Sequence, residues 1–175
     1  MLDGAEDVLR EEGHAALTSR RIAERIGVKQ RLVYYYFRTM DELVVALFRR
    51  SADRDLQRLR DAAKSEHTLR EIWNTAIAST DSRLISEFMA LANRIEGLRT
   101  EVILFIEESR AIQVAEIMAA MRRRSVRSAI PAPGLALLAT SVALSLSREQ
   151  QLGVNSGHAE IMTVIEQFLT SLEPE

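Results

Sequence analysis

The chain has 175 residues, of which 47% are hydrophobic and 27% charged, and its formal net charge is −2. This length suits one domain, or a small domain joined to a larger one, and it can bury a core without cross-links. The absence of cysteine excludes disulfides, thiolate metal sites and cysteine catalysis. The three histidines lie in separate segments without a metal-ligand spacing, at His14, His67 and His158. We therefore expect no metal site, and we also expect no cofactor.

Hydrophobic residues recur at helical spacing almost throughout, and no stretch alternates with the period of a strand. We therefore predict an all-α fold of about nine helices. The first covers residues 2–12 and ends at Gly13, and the second follows Thr18, whose hydroxyl can accept a hydrogen bond from a free amide of the first turn. Gly27 follows this helix at a position that favours a left-handed backbone. A third helix is predicted for residues 30–37.

The later helices are marked by start signals and breaks. Threonine and glutamate stand three residues apart at 39–42 and again at 68–71, the pattern of a capping box, and we expect the fourth and fifth helices to begin there. The sixth is predicted to begin near Asp81. The last three are predicted for residues 100–124, 134–151 and 157–172.

Two segments bear on where the chain resides. The acidic start shows no signal peptide, which favours a cytoplasmic protein. Residues 129–147 are uncharged and nearly long enough to cross a membrane, but their prolines and hydroxyl side chains favour a buried helix instead.

Residues 19–37 have the layout of a helix-turn-helix, two short helices joined by a turn that contains glycine. Residues 18–40 hold six basic side chains and one acidic one, Glu24, an asymmetry that favours a surface for a polyanion. The second helix of such a motif normally lies in the major groove of DNA.

A helical projection of residues 30–37 divides its aromatic row. It places Tyr36 and Phe37 toward the core, and Tyr34 and Tyr35 outward beside arginines. Tyrosine and arginine can bind phosphate, and arginine and glutamine match the edges of guanine and adenine. The predicted DNA contacts are Thr18, Ser19, Arg20, Lys29, Gln30, Arg31, Leu32, Tyr34 and Tyr35.

The stretch EEGHAALTSRRIAERIGVKQRLVYYYFRTMDEL, residues 11–43, resembles the tetracycline-repressor (TetR) family of bacterial transcriptional regulators. Its glycine, threonine and aromatic positions match in register over roughly the first 50 residues: Gly13, Ala16, Thr18, Ile22, Ala23, Gly27, Val28, Tyr34, Tyr36, Phe37 and Leu43. Three features depart from the family pattern. Lys29 replaces a capping serine, Met40 replaces a phosphate-binding lysine, and Arg31 and Leu32 replace small residues.

The resemblance implies a DNA-binding domain at residues 1–45 and a ligand-binding and dimerisation domain at 46–175. Large apolar helix faces in the second domain can build a site between helices, although plain core packing is an open alternative for each residue. Few buried charges are suggested, so the expected effector is an apolar or amphipathic small molecule. The predicted ligand contacts are Trp73, Ile77, Phe88, Leu91, Asn93, Phe105, Ser109 and Ile112.

The last two predicted helices are largely apolar, and pairing with a second copy would bury them. We therefore predict a homodimeric, ligand-responsive regulator, a repressor that binds a pseudo-palindromic operator. The alternative is a helical protein-interaction or small-molecule-binding module without DNA binding. An enzyme is not expected, because the sequence has no nucleophile elbow and no phosphate loop.

Overall fold

The computed structural model describes residues 1–79, 82–125 and 127–173. These residues form helices and no strand, which confirms the predicted all-α fold. The helices are α1 (Leu2–Glu12), α2 (Ser19–Arg25), α3 (Gln30–Tyr36), α4 (Met40–Ala62), α5 (Thr68–Ser79), α6 (Ser82–Ala92), α7 (Glu96–Arg124), α8 (Ala132–Gln151) and α9 (His158–Leu172), with a 3₁₀ turn at His14–Ala16. The predicted start of the sixth helix at Asp81 lies outside the described residues.

The start and stop signals of α2 and the start signal of α4 act as the sequence predicts. The Thr18 hydroxyl accepts a hydrogen bond of 3.2 Å from the Arg21 amide at the start of α2. Gly27 follows α2 with φ +69°, a left-handed backbone that glycine adopts without strain. At α4 the Thr39 hydroxyl accepts from the Glu42 amide at 3.1 Å. The Glu42 carboxylate accepts from the Arg38 amide at 2.9 Å, which closes a variant of the predicted capping box.

The predicted capping box at residues 68–71 is wrong. The Thr68 hydroxyl donates to the Ser65 carbonyl, and it caps no amide of α5. Instead, the Glu173 carboxylate accepts from the amides of Leu69 and Arg70, at 2.8 and 3.1 Å. A buried carboxylate more than a hundred residues away therefore supplies the negative charge that a helix start favours.

The chain divides into two compact units. The first comprises residues 1–54 and 83–105, and the second comprises residues 55–82 and 106–175. Helices α4 and α7 each contribute to both units. The predicted boundary at residue 45 is drawn by function and stays a prediction, whereas these units are defined by packing.

In the first unit, α6 and the start of α7 pack with the helices of the helix-turn-helix. Phe48 of α4 makes edge-to-face contacts with Phe88 and Phe105, at centroid distances of 5.1 and 6.0 Å. Glu87 of α6 accepts hydrogen bonds from the His14 amide at 2.9 Å and approaches the His14 ring nitrogen Nδ1 at 2.5 Å. The short helix-turn-helix therefore rests on a larger hydrophobic core.

In the second unit, small residues let α8 pack closely. Ala136 and Ala143 are buried in a core with Trp73, Ile117 and Leu169. The opposite side of α8 remains exposed. No helix in the described parts of the chain is long and apolar enough to cross a membrane.

Candidate nucleic-acid interface

The two helices of the motif are held in place by one buried apolar side chain from each helix. Ile22 of α2 and Val33 of α3 are fully buried in the core of the first unit. Gly27, Val28 and Lys29 form the turn between them. Val33 is the single buried residue among the seven of α3, so most of this helix is exposed to solvent.

The exposed face of α3 is wider than predicted. Tyr34 and Tyr35 are exposed, and so is Tyr36, at 64%. The prediction that Tyr36 points to the core is wrong. The helix ends at Tyr36, and Phe37 has the extended angles φ −131° and ψ 117°, so the chain turns and Phe37 packs on the core instead. The Tyr36 ring makes an edge-to-face contact with Tyr35 at 5.2 Å.

Three cations border this tyrosine face. Lys29, Arg31 and Arg38 are exposed, and their side chains make no ion pair with the described residues. Leu32 is also exposed beside them. We call the set of Lys29, Arg31, Leu32, Tyr34, Tyr35, Tyr36 and Arg38 the α3 face.

The arginines of α2 have a different environment. Arg21 binds the Glu12 carboxylate through two nitrogens, with distances of 2.8 Å, and Arg25 bridges Glu11 and Glu12 at 2.8 Å each. The hydrogen bond from Arg21 lowers the pKa of Glu12, and that from Arg25 lowers the pKa of Glu11. These glutamates end α1, so part of the basic charge counted in the sequence is neutralised within the unit.

Arg20 is the exception on α2, because it points to solvent. It pairs with Glu24 on its own helix at 2.9 Å, and its side chain is 80% exposed. An exposed pair one helical turn apart contributes little to stability and leaves the guanidinium accessible.

Ser19 lies under the α3 face rather than on it. Its side chain is buried, the Gln30 amide nitrogen Nε2 donates to its hydroxyl at 2.8 Å, and that hydroxyl donates to the Tyr34 oxygen at 3.0 Å. Thr18 is exposed, but its hydroxyl is engaged in capping α2. Of the nine predicted DNA contacts, three have hydroxyls already bonded within the motif, those of Thr18, Ser19 and Tyr34.

The two departures at the ends of α3 have clear local consequences. Lys29 stands at the N-cap with extended backbone angles and makes no side-chain cap, as its chemistry dictates. Met40, at the start of α4, is half-buried and packs against the core, so it offers no charge to a phosphate.

A buried carboxylate that the sequence did not suggest binds α1 to α4. Glu6 accepts from Arg10 at 2.8 Å, Arg50 at 2.8 Å and Arg54 at 2.7 Å. Burial raises the pKa of Glu6, but hydrogen bonds and charge from Arg54 and Arg50 outweigh it and hold that pKa below its ordinary 4.5. The carboxylate therefore stays ionised at neutral pH.

The predicted ligand residues are divided between the two units. Phe88, Leu91, Asn93 and Phe105 belong to the first, and Trp73, Ile77, Ser109 and Ile112 to the second. An open cleft of about 590 Å³ in the second unit is lined by other side chains, those of Arg58, Asp61, Ala62, Ser65, Glu71, Thr75 and Ala78. The ligand set stays a prediction.

Residues 1–47 match the family model described as bacterial regulatory proteins, tetR family. In this region the chain is similar to regulators of the TetR family. The match covers α1 to α3 and the start of α4, the same helices that build and support the α3 face.

Relatives of known structure share the whole TetR fold. A TetR transcription regulator from Haloarcula marismortui is 20% identical with a TM-score of 0.77, over 98% of this chain and 93% of the other. A candidate fatty acid metabolism regulator from Clostridium perfringens is 16% identical with a TM-score of 0.69, over 98% of this chain and 95% of the other. These likenesses show the fold alone.

One curated relative aligns at the sequence level. It is the fatty acid metabolism regulator protein of Bacillus subtilis (strain 168), 24% identical over 97 residues, or 55% of this chain. The alignment spans half of the length of that relative. All three of these proteins are named as regulators, and none as an enzyme.

Proposed function

We propose that this chain is a DNA-binding transcriptional regulator, a cytoplasmic repressor that binds a pseudo-palindromic operator as a homodimer. The α3 face carries the proposal. It combines three cations that lack ion-pair partners among the described residues with three exposed tyrosine rings, on the second helix of a helix-turn-helix. Cations and hydroxyls bind the phosphate backbone, and a short helix offers its first residues to base edges.

The contacts can be sorted by chemistry. Arg31, Gln30 and Leu32, near the start of α3, suit base edges: guanine, adenine and the thymine methyl group respectively. Lys29, Arg20, Tyr34 and Tyr35 suit phosphates. To the predicted set we add Tyr36 and Arg38, which are exposed on the same face. Ser19 and Thr18 support the surface from within.

The homodimer is proposed to form through α8 and α9. TetR-family regulators bind DNA as dimers. Leu137 and Leu138 on α8 and Val164 on α9 are each more than half exposed, a concentration of large apolar side chains that a partner would cover. Glutamate at Leu137, which is 52% exposed, is expected to yield monomers and to abolish operator binding.

Leu104, which is 58% exposed in the first unit, supplies a matched control for this dimer surface. Leu104→Glu introduces the same charge at similar exposure and should leave the dimer intact. Sedimentation velocity measures both variants. Equal dissociation by the two substitutions, or by neither, would contradict a dimer built on α8.

The effector is proposed to be an apolar or amphipathic molecule of the fatty-acid class. Two of the relatives are named as fatty acid metabolism regulators, and such a molecule suits the apolar helix faces of the predicted ligand residues. Binding can release operator DNA only to the extent that the effector prefers the released conformation.

Trp73 is the only tryptophan of the chain and belongs to the predicted ligand set, so its fluorescence reports on this proposal. Titration with a long-chain fatty acid and with its coenzyme A thioester should change the emission and weaken operator binding at the same concentrations. Emission and DNA affinity that both stay constant would contradict this effector class.

The regulator proposal itself is tested by a salt series. A duplex selected by the protein from a random library should bind with a log–log slope in salt of about −4 to −6, since three phosphate-facing cations in each of two subunits, Arg20, Lys29 and Arg38, release about 0.9 counterion each. Salt-insensitive binding, or selection of no duplex, would contradict the regulator and favour a module without DNA binding.

A further inference from the structure

A buried hydroxyl connects the two helices of the motif directly beneath the α3 face. Ser19 is only 4% exposed, yet it contacts two side chains that reach solvent, Gln30 at 2.8 Å and Tyr34 at 3.0 Å. Such a hydroxyl can orient both of them without touching DNA itself.

As the side chains are placed, the hydrogens of this network run from Gln30 through Ser19 to Tyr34. The Gln30 amide nitrogen can only donate, so the Ser19 oxygen must accept from it. A buried hydroxyl hydrogen also needs a partner, and the Ser19 hydroxyl donates to the Tyr34 oxygen. The single hydrogen of the Tyr34 hydroxyl then remains for an acceptor outside the protein. Phosphate oxygens offer only acceptors, so the network leaves Tyr34 in the form that phosphate requires.

The same contact fixes the carboxamide of Gln30. One of its two N–H bonds is held by Ser19, which leaves one N–H and the carbonyl oxygen for a ligand. An adjacent donor and acceptor match the N7 and N6 amine of adenine. Rotation of this carboxamide to the opposite order would reverse both hydrogen bonds of the network, so that the Tyr34 hydroxyl would donate to Ser19 and would no longer be free to donate to a phosphate.

We infer that Ser19 is a positioning residue for operator recognition, which sets Gln30 for adenine and Tyr34 for phosphate. The inference rests on the proposed function and adds a specificity determinant beneath the contact surface. Hydrogen bonds in series strengthen one another, so loss of the middle member affects both ends.

Alanine and threonine at position 19 separate positioning from packing. Ser19→Ala removes the hydroxyl, and Ser19→Thr keeps it. Variants Gln30→Ala and Tyr34→Phe remove the two outer members singly. The melting temperature of each of the four variants is measured first, to check that the fold is retained. Each variant is then tested against a library of random-sequence duplexes that are long enough for two half-sites.

Ser19→Ala should weaken binding about 10-fold, because each of the two lost hydrogen bonds contributes modestly. It should also flatten the adenine preference at the same operator position that Gln30→Ala flattens. The double variant should show no further loss of preference at that position, and Ser19→Thr should restore most of it.

Altered preference at a shared position is an effect that a purely structural role for Ser19 does not produce. If Ser19→Ala keeps the preference that Gln30→Ala abolishes, the inference is overturned while the regulator proposal stands. If the wild-type protein enriches no duplex, both are overturned.

Discussion

Helices α2 and α3 are neighbours in one helix-turn-helix and carry similar basic side chains, but those side chains have different partners. Arg21 and Arg25 of α2 are held by glutamates at the end of α1, whereas Arg31 on α3 has no ion-pair partner among the described residues. The basic charge of this segment therefore has two separable tasks. One part fastens helices together, and the other is left for an external anion.

The same division extends through the first unit. Glu6 gathers three arginines of α1 and α4 around one buried carboxylate. Removal of a partner from the internal network should cost stability, and removal of a cation from the α3 face should cost DNA affinity. The following predictions test that separation.

Substitution of Glu6 should have the largest effect, and it should fall on stability. Glu6→Gln leaves three arginines around a neutral group, at a cost of about 2–3 kcal/mol in the free energy of unfolding. The pKa of Glu6 is lower in the folded chain, so its stabilisation is present above the ordinary pKa of 4.5 and is lost as pH falls through the folded value.

Urea unfolding over a range of pH measures this effect. The difference in the free energy of unfolding between the wild-type protein and the variant should be constant near neutral pH and should become smaller in acid. DNA affinity of the folded variant should be unchanged. A gap that widens in acid would mean that Glu6 is protonated in the folded protein.

Arg31→Ala should have the next largest effect, and it should fall on DNA. If Arg31 binds guanine, the variant loses about 1–3 kcal/mol of operator affinity and tolerates other bases at that position. Its free energy of unfolding should change by less than about 0.5 kcal/mol, because the side chain is exposed. Fluorescence anisotropy with the selected duplex and its single-base variants provides the measurement.

Lys29→Ser should change stability and affinity in opposite directions. Serine can accept a hydrogen bond at the N-cap of α3, where lysine cannot, and should stabilise the fold by about 1 kcal/mol. The same change removes a cation from the α3 face, so the salt slope should become less steep by about 1 per subunit. Thermal unfolding measures the expected gain in stability, and a salt titration of DNA binding measures the expected loss of slope. Lys29→Ala serves as the control that removes the cation without adding a cap.

Arg25→Ala should have the smallest effect on recognition. It breaks the pairs with Glu11 and Glu12, so the melting temperature should fall slightly, while the salt slope of DNA binding should change by less than about 0.3. Calorimetry and the salt titration report the two quantities. A clear loss of slope would place Arg25 on the DNA surface.

Local signals in the sequence predicted much of this structure. The bounds of α1 follow from hydrophobic spacing and Gly13, and the cap of α2 follows from Thr18, because each depends on residues within one turn. The motif and its outward Tyr34 and Tyr35 follow in the same way.

Features that depend on distant partners were not predictable. Glu173 caps α5 from more than a hundred residues further along the chain, and the glutamates of α1 neutralise arginines of α2. Tyr36 was misplaced because it is the last residue of α3, and a helical projection does not show where the segment that follows the helix packs. The division of the predicted ligand residues between two units likewise depends on tertiary packing.

The most direct test compares two double variants that each remove two basic side chains, Lys29→Ala with Arg38→Ala and Arg21→Ala with Arg25→Ala. The salt slope of binding to the selected duplex is measured for both. We predict that the α3 pair makes the slope less steep by about 2 per subunit, and that the α2 pair leaves it almost unchanged while lowering the melting temperature. Equal loss of slope in the two variants would contradict the separation of internal and DNA-facing charge.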